Sequence, residues 1–302
     1  MRDLSNLAGS VKARLRNQMT ETGQSLDHLL TRFVIERLLY RLSRSRYAET
    51  FVLKGAMLFS LWEDIPHRST RDLDLLSFGK DDPDRIRNIF AELCSVGVVP
   101  DGLDFRSDSV KVEAIRQGSL YHGQRVKLLA LLERTRVDLQ VDIGFGDAVV
   151  PPAVIVEFPV MLDFPAPRIP AYRLETVIAE KLHALVVHGL ANSRVKDLVD
   201  IRELARRCSF DGPVLATAIR ATFSRRETEI PDRPLVLTSA FSDSTPQRQL
   251  WFAFLRRSEM AVAPPGLADV IAFLAEFLLP VISAARTGEE IALRWAPGGP
   301  WE

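Results

Sequence analysis

The sequence predicts an α+β protein: N-terminal helices, then a mixed sheet, then a mainly helical C-terminal half. Three observations predict it. Leu29, Phe33, Ile35, Leu38, Leu39 and Leu42 recur at helical spacing. The run Val137-Asp138-Leu139-Gln140-Val141-Asp142-Ile143 alternates apolar and polar without a break, the pattern of a half-buried strand. From Leu174 the periodicity becomes helical and mostly stays so. The expected domains are 1–165, the sheet with its N-terminal helices, and 166–302, a helical domain that completes the active site.

In chain order, Ser10 to Met19 is a polar, basic helix, and Ser25 is placed to cap a helix from Leu26 to Leu42. Phe51-Val52-Leu53 is a short buried strand or a last turn before Gly55, and Ala56 to Trp62 is an apolar helix. Pro66 and His67 belong to a loop, and Thr70 to Leu76 is a strand. Asp84 to Cys94 turns Ile86, Ile89, Phe90 and Leu93 inward as an amphipathic helix. Three strands follow: Ser109 to Ile115, Arg125 to Leu132 and Arg136 to Ile143. Gly144 to Asp147 is a turn, and Val149 to Pro170 is a Pro-rich connector with one or two short strands. The helical half comprises Glu175 to His188, Arg194 to Arg207, Val214 to Thr222, Gln249 to Ser258 and Leu267 to Ala285, with 224–247 read as loop. The last helix contains Asp269, Glu276 and Pro280 and reads as too short and too charged to span a membrane.

A chain of 302 residues, 47% hydrophobic and 26% charged, has the composition of an ordinary globular protein. Its formal net charge of +0 does not mark it as a nucleic-acid binder, so any such surface must be local. The stretch from Lys12 to Arg46, with Arg14, Arg16, Arg32, Arg37, Arg41 and Arg44, is either such a patch or the solvated face of amphipathic helices. Cys94 and Cys208 are far apart and lack ligand spacing, and the N-terminus has no apolar signal core. A reducing cytoplasm, with no membrane partner, is the expected setting.

The chemistry concentrates in Arg68-Ser69-Thr70-Arg71-Asp72-Leu73-Asp74. On a strand Asp72 and Asp74 point the same way, and two carboxylates on one face repel unless a cation joins them. Mg²⁺ suits that arrangement, since it is bound by one or two carboxylates plus substrate phosphates. Upstream, Lys54-Gly55-Ala56 makes a basic glycine turn whose backbone N–H groups can meet a phosphate. The pair reads as a nucleotidyltransferase core, in which one element holds a triphosphate and the other the metal. Asp142 is favoured over Asp138 as a third acid, because the Gly144 turn marks a strand end. Farther on, Lys181 can hold a phosphate, and Arg194 and Asp197 share a helix face. Asp197 can orient Lys181 or Arg194, or hold the base or ribose; inter-helix salt bridges explain the same spacing.

Taken together, Leu53-Lys54-Gly55-Ala56, Arg68 to Asp74, Val141-Asp142-Ile143-Gly144, Ala179-Glu180-Lys181-Leu182-His183-Ala184 and Ser193-Arg194-Val195-Lys196-Asp197-Leu198-Val199-Asp200 resemble the AbiEii/MenT family. These are nucleotidyltransferase toxins of bacterial type IV toxin–antitoxin systems. The resemblance implies a polymerase-β-like fold and Mg²⁺-dependent transfer of a nucleoside monophosphate from an NTP. It implies a tRNA 3′ end as acceptor, blocked aminoacylation and arrested growth, and a cognate antitoxin as partner. By position Asp72, Asp74 and Asp142 would be metal ligands, and Lys181 and Asp197 the other essential pair. Lys54, Gly55, Ala56, Arg68, Ser69, Thr70 and Arg194 would bind nucleotide. Other acceptors (a protein or small molecule) and a catalytically silent nucleotide- or RNA-binding regulator are the alternatives. One departure stands out: the family's Gly-Gly or Gly-Ser turn is Gly55-Ala56 here. If residue 56 needs a positive φ, nucleotide affinity should be weak.

Overall fold

A computed structural model describes residues 2–62, 72–117, 121–191, 194–257 and 265–302. The elements are α1 (Arg2–Thr22), α2 (Leu26–Ser43), β1 (Phe51–Lys54), a 3-10 helix (Gly55–Leu61), β2 (Asp72–Ser77), α3 (Pro83–Cys94), β3 (Leu103–Gln117), β4 (Tyr121–Leu132), β5 (Thr135–Phe145), β6 (Val154–Glu157) and β7 (Arg168–Ala171). They continue as α4 (Leu174–His188), α5 (Val195–Arg207), β8 (Phe210–Asp211), α6 (Gly212–Arg225), α7 (Ser239–Ser242), α8 (Thr245–Arg257), α9 (Leu267–Thr287) and β9 (Arg294–Trp295), with short 3-10 turns at Gly189–Ala191 and Leu235–Leu237. The chain divides into two compact units. One carries the elements from α1 to β7, and the other comprises Asp147–Ala153 and the chain from Tyr172 onward.

The first unit is built on a seven-stranded sheet in the order β3-β4-β5-β2-β1-β7-β6. Pairings β2–β5 and β1–β7 are parallel and the others antiparallel, so the sheet is mixed as predicted. Along β5, Val137, Leu139, Val141 and Ile143 are buried, while Asp138, Gln140 and Asp142 take the other face. On the apolar side α2 packs against β5 and β7, and α3 against β3 and β4. The Ser25 side chain accepts the His28 N–H at the start of α2, the predicted cap. The segment after β1 is a 3-10 helix beginning at Gly55, not an α-helix from Ala56.

Burial corrects the reading of the N-terminal arginines. Because α1 packs on α2, with Ala8, Val11 and Leu15 buried, α2 is covered on nearly all sides. Arg37 and Arg41 are interior residues, 0% and 5% exposed, and both hold Asp101. Arg41 grips Asp101 with two N–H···O bonds of 2.6 and 3.1 Å. Arg37 adds a bond of 3.1 Å and donates to the Pro165 carbonyl at 2.9 Å. The guanidiniums also lie over aromatic rings, Arg37 on Tyr40 and Arg41 on Phe105. These two belong neither to a nucleic-acid patch nor to a solvated face.

In the second unit α4, α5, α6 and α9 bury Ile178, Leu182, Ile201, Leu204, Ile219, Leu274 and Phe277. By length and composition alone α9 could cross a membrane, contrary to the sequence reading. Its role in the core shows instead in packing against α5 and α6, with Val270, Leu274, Phe277, Leu278 and Val281 buried. The segment read as loop, 224–247, contains the Leu235–Leu237 turn, α7 and the start of α8, and buries Val236, Leu237 and Phe241. The β8–β9 pair was not anticipated. It returns the C-terminal segment to the core, where Trp295 donates to the Ala205 carbonyl at 2.6 Å and Trp301 stacks on Phe277.

Candidate active site

Strand register assembles the acidic face of the first unit. Asp74 lies opposite Asp142 and Asp72 opposite Gln140 across the parallel β2–β5 pair. On the other side of β2, Lys54 lies opposite Asp74. Beyond β5, Arg125 of β4 lies opposite Asp142. Lys54, Asp74, Asp142 and Arg125 thus form one row across four adjacent strands: cation, carboxylate, carboxylate, cation. Asp138 is four residues along β5 from Asp142, about 13 Å away at the usual strand rise. It pairs with Leu129 rather than with either β2 aspartate. The register therefore gathers Asp142, and not Asp138, beside Asp72 and Asp74.

Two residues that the sequence reading left without a role complete this face. Arg125 donates from Nε and Nη2 to the two oxygens of Asp142, both at 2.8 Å. The Gln140 amide lies 3.4 Å from both the Asp72 and Asp142 carboxylates. A signal for Arg125 was present. The two residues between Leu132 and Thr135 fix the β4–β5 register, and counting back from that turn puts 125 opposite 142.

Gly55 carries a geometric demand. Its φ is +74°, and a Cβ placed there would come within 2.0 Å of Asp74 Oδ2. The positive φ that the sequence reading considered for residue 56 belongs to residue 55. Among the described residues the only non-glycines with positive φ are Glu133 and Glu227, so Ala56 is unstrained and the departure costs the backbone nothing. Arg68, Ser69 and Thr70 lie outside the described residues.

The fit to Mg²⁺ can be judged from the donors. Among the described residues no group of three or more His, Cys, Asp or Glu side chains is already gathered as a metal cage. Asp72 and Asp74 share a face, while both oxygens of Asp142 face Arg125. Two carboxylates on one strand face are the donor set of an ion that keeps most of its shell for water and substrate.

The second unit has its own charged cluster. Lys181 on α4 donates at 2.7 Å to both Asp197 and Asp200 on α5. Arg194 is 3.7 Å from the second Asp197 oxygen. Burial works to push the Lys181 ammonium down, but Asp200 and Asp197 outweigh it and its pKa is raised. Burial works to raise Asp197, and Lys181 reverses that, so Asp197 is lowered. Asp200, one turn beyond Asp197, is a second partner of Lys181 that the sequence motif alone does not assign. On the adjacent face of α4, Arg226 donates to Asp147 at 3.1 Å and pairs with Glu180 at 3.4 Å. The Arg226 Nη1 lies 3.1 Å from His183 Nδ1, and Nε2 of that ring lies 2.9 Å from the Thr228 hydroxyl. Burial and the nearby guanidinium push His183 down to about 4, so the ring is neutral and Nδ1 accepts from Arg226.

Residues 37–273 match the sequence profile of the family described as Nucleotidyl transferase AbiEii toxin, Type IV TA system. Two solved structures share the fold. One is a candidate nucleotidyltransferase from H. pylori, with TM-score 0.52 and 15% identity, covering 89% of this chain and all of its own. The other is JHP933 from Helicobacter pylori, with TM-score 0.50 and 15% identity, covering 88% of this chain and 94% of its own. No curated protein sequence matches.

Proposed function

The chain belongs to the AbiEii nucleotidyl transferase toxin family of type IV toxin–antitoxin systems, and from that premise we propose a specific reaction. It transfers a nucleoside monophosphate from an NTP to an RNA acceptor, the 3′ end of a tRNA, and so stops translation until a cognate antitoxin neutralises it. The observation that carries this reading is the register that sets Asp72, Asp74 and Asp142 side by side.

The acceptor hydroxyl attacks the α-phosphorus, the new O–P bond forms, the α–β anhydride bond breaks and pyrophosphate leaves. Asp72 and Asp74 would hold Mg²⁺, which when bound neutralises charge developing on the phosphoryl and leaving oxygens. Asp142 would complete the carboxylate set and draw off the acceptor's proton. The Gly55 turn brings backbone close to Asp74 with no side chain between, leaving its N–H groups for phosphate. Lys54 adds positive charge at the same row, and Arg68, Ser69 and Thr70 belong to the proposed nucleotide set by their place in the motif. In the second unit, Lys181, Asp197 and Arg194 belong to the proposed functional set by their place in the motif; Lys181 is a charged ammonium held by Asp197 and Asp200, with Arg194 beside Asp197.

The RNA acceptor rests on family membership, because Arg37 and Arg41, two of the arginines that favoured it, are buried. The test is a labelling assay with total tRNA, Mg²⁺ and each α-labelled NTP in turn, beside Asp72→Ala. Label on tRNA that disappears in the variant is expected. Label on an added protein or small molecule alone would replace the acceptor. Label that persists in Asp72→Ala would refute the site.

A further inference from the structure

The family reading does not account for Arg125. Its guanidinium meets Asp142 as a planar fork, two parallel N–H···O bonds of 2.8 Å, the strongest geometry available to such a pair. The pair is partly exposed, 34% for the arginine and 20% for the aspartate side chain, so water reaches the arginine more than the carboxylate it grips. A carboxylate gripped on both oxygens by one fork cannot offer the same lone pairs to a metal ion. Arg125 also has another carboxylate within reach. Glu113 on β3 is its register partner on the side away from β5 and is itself held by Lys127 at 2.8 Å. Arg125 thus lies in register between two acidic residues on neighbouring strands and bonds the one on β5.

We propose that Arg125 is a latch on the third carboxylate: it occupies Asp142 until substrate arrives, so the protein alone lacks the divalent-ion position that a released Asp142 would complete. The proposal rests on the nucleotidyl-transfer reading of this face and specifies how its metal loading is controlled. Arg125 acts through Asp142 and is a positioning residue. Its charge also offsets that of Asp142 beside Asp72 and Asp74, and the Glu113 side offers it a place when Asp142 is released.

The test counts ions without turnover. Mn²⁺ binding to the nucleotide-free full chain is followed by electron paramagnetic resonance, for the parent protein, Arg125→Ala, Arg125→Lys, Asp72→Ala and the double variant Arg125→Ala/Asp142→Asn, each checked for folding by circular dichroism. The parent is expected to bind one Mn²⁺ that Asp72→Ala abolishes. Arg125→Ala should gain a second ion, at least tenfold tighter than any second binding in the parent, and the double variant should lose it again. Arg125→Lys, which keeps the charge but not the fork, should fall between. A parent that binds one ion while Arg125→Ala does the same overturns the latch and leaves the reading of the face intact. A parent that takes up two ions of similar affinity also overturns it. No ion bound by parent or Arg125→Ala overturns both.

Discussion

Replacing Gly55 by alanine should damage this protein out of proportion to the one carbon added. At φ +74° an L-residue is in the left-handed region, at a cost of about 1–2 kcal/mol. The added Cβ would also lie 2.0 Å from Asp74 Oδ2, 2.6 Å from its Cγ and 2.7 Å from its Cβ. Rotating the Asp74 side chain relieves the first two contacts but not the third, because a Cβ moves only with its backbone. Either β1 and β2 part at the Lys54–Asp74 pair, or the glycine turn shifts. Overpacking of that kind costs about 1–3 kcal/mol, so the total is about 2–5 kcal/mol. For a chain of this size the melting temperature should fall by about 4–10 °C. Mn²⁺ affinity should fall as well, since either escape moves the Asp74 carboxylate. Thermal melts and Mn²⁺ titration of Gly55→Ala, with Ala56→Gly as control, make the measurement. The control should stay within about 1 kcal/mol of the parent, the usual cost of added backbone freedom. A Gly55→Ala protein that melts with the parent and binds Mn²⁺ equally well would refute the reasoning.

Lys181→Met should destabilise the second unit by about 3–5 kcal/mol, because it strands Asp197 and Asp200 in the interior. Adding Asp197→Asn and Asp200→Asn should restore most of the loss in urea unfolding, separating a structural role from a catalytic one. Asp101→Asn should cost a similar amount, about 3–5 kcal/mol, by uncoupling Arg37 and Arg41 from their shared carboxylate. An unchanged melt would disprove that clamp. Two buried groups titrate in opposite senses. Burial pushes Glu36 up from 4.5 to about 7, so its contribution to stability is full below pH 4.5 and is lost as pH rises toward 7. His183 is pushed down from 6.5 to about 4, so its contribution is full above pH 6.5 and is lost as pH falls toward 4. Each shift is worth about 3 kcal/mol, and the two nearly cancel across the same window. Relative to the parent, stability should rise with pH in Glu36→Gln and fall with pH in His183→Gln.

Legibility in the sequence followed the length scale of the cause. The cap at Ser25, the alternation in β5 and the inward face of α3 are local, and the sequence showed them directly. The acid pair Asp72 and Asp74 was visible because strand geometry alone aligns residues two apart. The choice between Asp138 and Asp142 depends on which residue of β5 meets β2, a fact of register across the sheet. Arg37 and Arg41 were misread because an arginine that satisfies a buried aspartate has no local mark. Asp101 is 60 residues away from Arg41, and the covering helix α1 is a separate element. The same limit hid α7 and the β8–β9 pair, whose short segments are stable only against the core they cover.

The parallel pairing of β2 with β5 has a consequence in time. It joins Asp72 to Gln140 across a separation of 68 residues. Closing a loop of that length costs about 4 kcal/mol of chain entropy before any contact repays it, whereas β4 and β5 meet through a two-residue turn. A polypeptide emerging from the ribosome can therefore possess both aspartates of β2 long before it possesses the strand that confronts them with Asp142. Until that crossover is made the growing chain has the letters of the motif without the row of side chains that the register assembles.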